Sequence, residues 1–246
     1  MRTVILAGGK GTRLKPYTTT LPKPLVPLGD MAIMEVVLHQ LVRAGCDRAT
    51  VAVGHLSQLI RAYFGDGSSW GIDLDYSTED TPLGTVGPLK RMKDLPEDFL
   101  VLNGDVLTDL DFGAFYAAHV ASGALGTIAT YERELKIDFG LLGYEGPERR
   151  IVRFSEKPVE RYRVSMGVYA FSRGILDLVP EDRAFGFDEL MMCCVADGLD
   201  VRAFPFDGYW LDIGRPDDYD RANRDFEGPL RERLLGGRTG DPDGAQ

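Results

Sequence analysis

The N-terminal segment joins a short apolar run to a glycine-rich, basic loop. The run Thr3–Leu6 leads into residues 6–14, which read Leu-Ala-Gly-Gly-Lys-Gly-Thr-Arg-Leu. Because glycine has no Cβ, such a loop can bring backbone N–H groups close to an anion. Lys10 and Arg13 add positive charge where a chain of phosphates would lie, and Lys23 follows on a stiff tether between two prolines. The start of the chain therefore predicts nucleotide chemistry.

Two common nucleotide-binding motifs do not fit this loop. A P-loop requires Gly-Lys followed by Ser or Thr, whereas Lys10 precedes Gly11 here. A dinucleotide fingerprint requires a third glycine where Leu14 stands, and an acidic residue after the second strand, which Ala49–Gly54 lacks. Both interpretations are therefore disfavoured.

Two aspartates remote in sequence are candidate metal ligands. Asp105 follows the apolar run Phe99–Leu102 with Asn-Gly between them, and Asp212 lies inside the aromatic, apolar stretch 209–214. A carboxylate in apolar surroundings is costly unless it is paired or bound to a metal. The two could share one Mg²⁺ whose other ligands are phosphate oxygens. The alternatives are that Asp105 caps the following helix and that Asp212 pairs with an arginine.

A second charged motif, Ser-Glu-Lys-Pro, ends the predicted strand Ile151–Ser155. Lys157 could hold a further phosphate, and Glu156 could accept hydrogen bonds from sugar hydroxyls. The alternative is a surface charge pair of little energetic consequence.

A glycine-containing loop near residue 84 is a candidate site for a base. Gly84 and Gly87 would let the backbone approach a flat ring, and Glu79 lies just ahead of them. A carboxylate can accept two hydrogen bonds from N1–H and the amino group of guanine, but it has no donor for the O4 of uracil or thymine. Glu79 therefore favours guanine, with a solvated loop glutamate as the equal alternative.

The composition limits the classes of partner. The 246 residues carry a net charge of −10, which argues against a nucleic-acid-binding surface. No segment approaches the ~20 apolar residues of a membrane span, and no apolar leader is visible. Cys46, Cys193 and Cys194 form no disulfide framework and are interpreted as small buried hydrophobes. We expect a cytoplasmic protein with no nucleic-acid or membrane partner.

The apolar pattern predicts an α/β fold. Strands are predicted at Thr3–Leu6, Ala49–Val53, Phe99–Leu102, Ile128–Tyr131, Gly140–Tyr144, Ile151–Ser155, Val164–Phe171 and Val201–Pro205. Helices are predicted at Met31–Ala44, Leu56–Phe64, Phe112–Ser122, Phe187–Ala196 and Asp217–Phe226. This order indicates a mostly parallel sheet with helices on both faces and a mixed extension in the second half. One domain is expected over residues 1–228 and a flexible tail over 229–246.

Together these motifs resemble those of the sugar-1-phosphate nucleotidyltransferases. The hallmark Leu-Ala-Gly-Gly-x-Gly-Thr-Arg-Leu-x-Pro is met by residues 6–16. It is followed in order by Pro-Lys-Pro-Leu at 22–25, Leu-Gly-Thr-x-Gly-Pro-Leu at 83–89, Asn-Gly-Asp at 103–105, Phe-Gly at 139–140 (in place of the commoner Tyr-Gly), Glu-Lys-Pro at 156–158 and Trp-Leu-Asp-Ile-Gly at 210–214. Pro24 and Glu79, at positions where thymidylyltransferases usually carry glutamine, make the pattern most similar to guanylyltransferases acting on mannose 1-phosphate or related sugars.

The resemblance implies a Rossmann-like three-layer α/β/α sandwich and the reaction NTP + sugar 1-phosphate → NDP-sugar + pyrophosphate. The implied nucleotide-binding residues are Leu6, Ala7, Gly8, Gly9, Gly11, Thr12, Arg13, Glu79 and Gly84. The implied sugar-phosphate-binding residues are Gly140, Glu156, Lys157 and Ser165. The resemblance also implies catalysis by Arg13, Lys23 and Asp105, Mg²⁺ held by Asp105 and Asp212, and assembly into a homo-oligomer.

One departure concerns the sugar. The family often has Asn-x-Gly before the strand that follows the sugar site, whereas this chain has Ser165-Met166-Gly167. Because serine reaches less far, we hypothesise a modified sugar such as a heptose, a deoxysugar, an aminosugar or a carbocyclic analogue.

Other functions stay open on the sequence alone. A thymidylyl- or uridylyltransferase acting on glucose 1-phosphate is the first alternative. A catalytically silent NDP-sugar sensor is disfavoured because Arg13, Lys23, Asp105 and Asp212 are all present. A cytidylyltransferase for a non-sugar alcohol phosphate would share the glycine loop but would not explain Glu-Lys-Pro.

Overall fold

A seven-stranded sheet with helices on both faces forms the centre of the molecule. The computed structural model describes residues 1–79, 81–181 and 183–236. The strands are β1 Arg2–Ala7, β2 Pro27–Leu28, β3 Met31–Ala32, β4 Arg48–Val53, β5 Asp73–Thr78, β6 Asp98–Asn103, β7 Val106–Thr108, β8 Gly126–Lys136, β9 Leu141–Glu145, β10 Arg150–Ser155, β11 Val159–Ser172, β12 Val201–Phe206 and β13 Trp210–Asp212. The α-helices are α1 Ile33–Arg43, α2 Ser57–Phe64, α3 Gly87–Lys90, α4 Phe112–Ser122, α5 Phe187–Ala196, α6 Pro216–Phe226 and α7 Pro229–Leu235.

The central sheet is mixed but mostly parallel. Its strands lie in the order β12-β8-β11-β6-β1-β4-β5. Within it, β11 runs antiparallel to both of its neighbours, and the other neighbouring pairs are parallel. The predicted α/β class with a mixed, mostly parallel sheet is therefore confirmed.

Alternation of side chains along the strands builds two apolar layers. Ile5 and Leu102 point to one face and pack with α1, α2 and α4. Val4, Val101 and Phe171 point to the other face and pack with α3 and α5. Because helices cover both faces, the loops at the carboxyl edge are the part of the sheet left open for a ligand.

A third apolar cluster ties the N-terminal loops to the end of the chain. Leu14 and Val26 follow the glycine loop and pack with Ile213 and Phe226 from the β13–α6 region. This cluster holds the loop of Lys23 close to β13.

Besides several elements of two to four residues, the structure adds a longer strand and a helix that the sequence did not predict. β5 was not predicted, because this edge strand carries aspartates, Ser77 and Thr78 instead of an apolar run. The expected frayed tail does not begin at Pro229, because α7 buries Leu230 and Leu234 against the third cluster. The rest of the predicted tail, residues 237–246, lies outside the described residues. None of the helices that the structure describes is long and apolar enough to cross a membrane.

Candidate active site

A cleft of about 810 Å³ opens at the carboxyl ends of β1, β4 and β6. It is lined by Leu6, Ala7, Gly8, Gly9, Lys10, Gly11, Thr12, Arg13, Leu14, Lys23, Pro24, Ala52, Gly54, His55, Glu79, Pro82, Gly84, Thr85, Pro88, Asn103, Gly104, Asp105 and Gly214. All of the residues predicted to bind the nucleotide, together with Lys23 and Asp105, therefore line one cavity.

The glycine loop is shaped by close backbone contacts. Gly11 has φ +60°, and a Cβ there would lie 2.9 Å from Cγ2 of Thr18. The hydroxyl of Thr18 also donates to the carbonyl of Gly11 at 2.7 Å, which closes the loop. At the other end, a Cβ on Gly54 would lie 2.8 Å from the carbonyl oxygen of Gly8. By contrast, Gly9 has open space beside it, so a ligand can approach its backbone.

Lys23 forms an ion pair with Asp105 inside the cleft. Their side chains are only 12% and 23% exposed, so the charges are partly shielded from water. The alternative that Asp105 caps the following helix is wrong, because the N-cap of that helix, α4, is Asp111.

Asp212 is brought beside this pair by a small two-stranded ladder. β7, which begins immediately after Asp105, pairs antiparallel with β13, and Val106 lies opposite Asp212. The backbone N–H of Ile213 donates to the carbonyl of Asp105 at 3.3 Å. Gly214 lies close to both Asp212 and Arg13, since an added Cβ would be 3.4 Å from Oδ2 of Asp212 and 3.7 Å from Cζ of Arg13. Because glycine has no side chain, this position puts no side-chain atoms between the carboxylate and the guanidinium.

The surroundings of Asp212 shift its acidity. Burial raises the pKa of its carboxyl, and the neighbouring Asp105 carboxylate raises the pKa further. Lys23 and Arg13 oppose this shift. The four groups therefore act on one another electrostatically, and a further cation between the two carboxylates would relieve their repulsion.

The donor set fits a magnesium ion held jointly with a ligand. Among the residues that the structure describes, no three metal-ligating side chains of the His, Cys, Asp and Glu types come together. Asp105 and Asp212 would supply two hard carboxylate ligands, and Mg²⁺ is commonly bound by one or two carboxylates with phosphate and water oxygens.

Glu79 and the loop at residues 81–87 line one side of the cleft. Oε2 of Glu79 accepts a hydrogen bond from the backbone N–H of Leu83 at 2.8 Å, which fixes this carboxylate. Gly84 has φ +80°, and a Cβ there would lie 2.6 Å from the carbonyl oxygen of Phe185. Packing against Phe185 is therefore a second reason for glycine at this position, and the approach of a base to Gly84 stays a prediction.

The residues predicted to bind the sugar phosphate lie apart from the lining of the cleft. Gly140 and Glu156 are adjacent across the ends of β9 and β10, since a Cβ on Gly140 would lie 3.1 Å from Oε2 of Glu156. Lys157 has φ +43° in the tight connection to β11. These three residues lie at the base of an exposed hairpin formed by β9 and β10.

Ser165 marks an irregularity in β11 that reaches the cleft. The pairing of β11 with β8 shifts between Ser165 and Tyr169, and the Ser165 hydroxyl donates to the Tyr169 hydroxyl at 3.3 Å. A Cβ on Gly167 would lie 2.5 Å from Nδ2 of Asn103, a residue that lines the cleft. Burial raises the pKa of Tyr169, and Asp105 and Asp212 raise it further.

Two residues that line the cleft, and one core residue close enough to feel the charges of Asp105 and Asp212, were not predicted as parts of the site. Asn103 could have been found from its place in the Asn-Gly-Asp motif. His55, which no motif in the sequence singles out, lines the cleft after β4. Tyr169 gave no signal, because its position in an apolar strand is typical of a core residue.

The fold and the cleft define a nucleotide-handling α/β protein, and comparison with known proteins gives its family. The family model for nucleotidyl transferases matches residues 2–228. The chain belongs to the nucleotidyl transferase family.

Its curated relatives are sugar-phosphate enzymes by name. The chain is 35% identical over 227 residues to the mannose-1-phosphate guanyltransferase of Schizosaccharomyces pombe, covering 89% of this chain and 62% of that protein. It is 34% identical over 244 residues to the UTP–glucose-1-phosphate uridylyltransferase of a Synechocystis strain, covering 91% and 63%. The chain thus spans less than two thirds of the length of these relatives.

Solved structures share the fold along their whole length. HddC from Yersinia pseudotuberculosis aligns with a TM-score of 0.71 at 26% identity and covers 92% of this chain and 99% of its own. HddC has also been solved in complex with GMP-PN. A putative glucose-1-phosphate thymidylyltransferase from Bacillus anthracis has a TM-score of 0.75 at 20% identity, with 98% of each chain covered, and supports the fold alone.

Proposed function

We propose that this chain transfers a nucleotidyl group from a nucleoside triphosphate, with GTP preferred, to a sugar 1-phosphate. The observation that carries the proposal is the meeting of Arg13, Lys23, Asp105 and Asp212 beside the glycine loop. Relatives named as guanyltransferases and the 26%-identical HddC support the same class.

The reaction needs no protein nucleophile. An oxygen of the sugar phosphate attacks the α-phosphorus, a new P–O bond forms, and the bond between the α-phosphorus and the oxygen bridging to the β-phosphate breaks as pyrophosphate leaves. The backbone of Gly8, Gly9 and Gly11 holds the triphosphate, with Arg13 beside it. Lys23 lies where it can neutralise the negative charge that develops on the phosphates. Positioning and charge neutralisation therefore supply most of the catalysis.

A bound Mg²⁺, held by Asp105 and Asp212, would neutralise phosphate charge and help to align the two reacting anions. In its absence Lys23 neutralises Asp105. A metal ion held by Asp105 would weaken this pair and would leave Lys23 available to the phosphates.

The preference for guanine rests on Glu79. Its Oε2 is occupied by Leu83 N–H, which aims the carboxylate and leaves Oε1 to accept from a base. One oriented acceptor discriminates by about 1–3 kcal/mol, so GTP should be favoured but not required.

A uridylyl- or thymidylyltransferase acting on glucose 1-phosphate is the second candidate. The Synechocystis uridylyltransferase, at 34% identity, favours this candidate. So does the hydrogen bond from Leu83 N–H to Glu79, because it leaves only part of the carboxylate free to recognise guanine. The two candidates share every step except recognition of the base and the sugar.

The sugar is proposed to be mannose-like or modified. Ser165 already bonds to Tyr169 and reaches less far than the family's asparagine, which leaves room for a larger or altered ring. We also propose that the protein acts in the cytoplasm as a homo-oligomer.

The test is release of pyrophosphate with Mg²⁺ over a grid of five NTPs, dTTP included, and several sugar 1-phosphates. The proposal expects release that needs both GTP and a mannose-like or modified sugar phosphate. Release with UTP or dTTP would favour the second candidate. No release with any pair, together with binding of NDP-sugars, would replace the enzyme with a silent sensor. Equal kcat/KM for mannose 1-phosphate and all modified sugars would contradict the role given to Ser165.

A further inference from the structure

The carboxyl edge of the sheet divides the cleft into a phosphate end and a base end. The strands follow the order β6, β1, β4, β5 along this edge, and Asp105 comes after β6 whereas Glu79 comes after β5. Three strand spacings, about 14 Å, separate these two strand ends. The charged groups that suit phosphates, Arg13, Lys23 and Asp105, lie toward the β6–β1 end. The base of a bound nucleotide would therefore fall at the β4–β5 end.

His55 lies next to Glu79 at this base end. Val53, the last residue of β4, is in register with Thr78 of β5, and the backbone N–H of Glu79 donates to the carbonyl of Val53 at 3.4 Å. Both His55 and Glu79 line the cleft. Since neighbouring strands lie about 4.8 Å apart, side chains that leave the ends of β4 and β5 can reach adjacent groups of one ligand.

The residues on either side of His55 give the turn after β4 a specific shape. Gly54 precedes it and lies so close to the glycine loop that an added Cβ would be 2.8 Å from the carbonyl oxygen of Gly8. Leu56 follows it with φ +57°, a left-handed conformation that is unfavourable for a residue with a Cβ. In this turn the His55 side chain is exposed and lines the cleft.

The other two histidines of the chain lie elsewhere. His119 is fully buried, and His39 packs edge-on against Trp70. All three histidines are within the described residues, and only His55 lines the cleft. An imidazole carries an N–H donor in both its neutral and its protonated form, so His55 can offer a donor to a ligand in either state.

Glu79 and His55 together match a hydrogen-bonding pattern that Glu79 alone does not. Guanine carries an N–H at N1 next to the carbonyl O6, and uracil and thymine carry the same pair at N3 and O4. Adenine and cytosine reverse the pair, with a ring-nitrogen acceptor next to an amino donor. Oε1 of Glu79, which Leu83 leaves free, would accept from the ring N–H. An imidazole N–H of His55 would donate to the adjacent carbonyl.

We propose that His55 is a specificity-determining residue that, together with Glu79, selects bases with an adjacent N–H and carbonyl over adenine and cytosine. The inference rests on the proposed function and extends it, because both the favoured guanine and the uracil or thymine of the second candidate satisfy the two side chains. Adenine and cytosine would set a ring-nitrogen acceptor against the Glu79 carboxylate and leave both acceptors unpaired, which is unfavourable.

The test measures equilibrium binding of nucleoside triphosphates with Mg²⁺ and without a sugar phosphate, so that it needs no turnover. GTP is compared with 6-thio-GTP, and UTP with 4-thio-UTP, because the sulfur analogue keeps the ring N–H and replaces the carbonyl oxygen with a poor acceptor. The wild-type protein should bind the oxygen form about fivefold more tightly, the worth of one hydrogen bond. ATP and CTP should bind more weakly than GTP by at least the same factor of about five.

His55→Phe keeps a flat ring and removes the donor. It should raise the Kd for GTP by about fivefold, bring the oxygen-to-sulfur ratio of Kd values close to one, and leave the Kd for ATP unchanged. His55→Gln, which keeps an N–H donor, should retain part of the ratio. His39→Phe, the same substitution outside the cleft, should retain all of it. If circular dichroism shows His55→Phe unfolded, His55→Ala takes its place in the same comparison.

The possible failures are distinguishable. An unchanged oxygen-to-sulfur ratio in His55→Phe would overturn the role of His55. Equal weakening for all four bases would also overturn it, because the contact would then lie on a part that all nucleotides share, such as the ribose. Both results would leave the proposed function standing. A protein that binds no triphosphate would overturn the proposed function, and this inference with it.

Discussion

At the scale of single residues, the candidate site is a balance of four charges. Asp105 and Asp212 repel each other, while Lys23 and Arg13 offset that repulsion. We expect a cation and phosphates to make this arrangement more favourable, because they would relieve the repulsion between the two carboxylates. Changing one charge should therefore affect turnover far more than folding.

Asp105→Asn should lower Mg²⁺-dependent turnover by about 10³-fold or more, because it removes one of the two carboxylate ligands. Steady-state kinetics over a magnesium titration measures this loss. Asp177→Asn, at an exposed position outside the cleft, is the control and should keep wild-type rates. A folded Asp105→Asn protein with normal turnover would show that the metal assignment is wrong.

Lys23→Gln should lower kcat by about 10²–10³-fold, with a smaller change in the KM for the triphosphate. The reason is that the lysine neutralises negative charge that develops in the transition state. Lys93→Gln serves as the comparison, because Lys93 is an exposed lysine that follows α3 in the sequence. An increase in KM alone would place Lys23 in ground-state binding and contradict its catalytic role.

At the scale of elements, glycines and short ladders position the site. The loop that carries Glu79 is anchored by two backbone hydrogen bonds, from Val86 and Gly87 to Phe185, and by one in return from Phe185 to Leu83. The β7–β13 ladder is only three residues long, yet it places Asp212 beside Asp105. The indole N–H of Trp210 donates to Met166 at 3.0 Å and holds this ladder against β11.

Gly84→Ala should destabilise the fold by about 2 kcal/mol or more, because left-handed strain adds to a clash with Phe185. Gly45→Ala is the matched control, since Gly45 has a similar φ of +78° but nothing within 4 Å of an added Cβ. Urea unfolding of both variants isolates the clash. Equal losses of unfolding free energy would show that the contact with Phe185 carries no weight.

At the scale of the whole molecule, a buried histidine couples stability to pH. His119 is fully buried, with Nδ1 2.8 Å from Oγ1 of Thr127 and Nε2 3.3 Å from Oδ1 of Asp98. Burial lowers the pKa of this imidazole, although Asp98 opposes the shift. The unfolded chain, with an ordinary histidine pKa of about 6.5, therefore takes up a proton first as the pH falls.

The contribution of His119 to the free energy of unfolding should be complete above pH about 6.5 and should be lost as the pH falls from there through the lowered pKa of the folded state. Urea titrations between pH 5 and pH 8, roughly the range that histidine controls, measure the slope. His119→Gln should make the slope shallower. An unchanged slope in that variant would contradict this coupling.

Much of the fold could be predicted from the sequence, because apolar runs and helical spacing mark the buried elements directly. The polar strand β5 was not predicted, because an edge strand needs few apolar residues. Helix α7 was not predicted, because Leu230 and Leu234 are its only two buried residues in a charged segment. Within the site, the glycine loop and Asn-Gly-Asp were visible because they follow apolar strands. The packing of Gly84 against Phe185 could not be predicted, because Phe185 lies about a hundred residues away in the sequence.

The measurement that tests the central claim most directly follows the phosphorus atoms of the triphosphate. The protein is incubated with Mg²⁺, a mannose-like sugar 1-phosphate and GTP labelled at either the α- or the γ-phosphate. The account predicts that the α-label appears in a GDP-sugar and the γ-label in pyrophosphate, in equal amounts. Appearance of the γ-label on the sugar or as inorganic phosphate, with GDP left behind, would contradict nucleotidyl transfer.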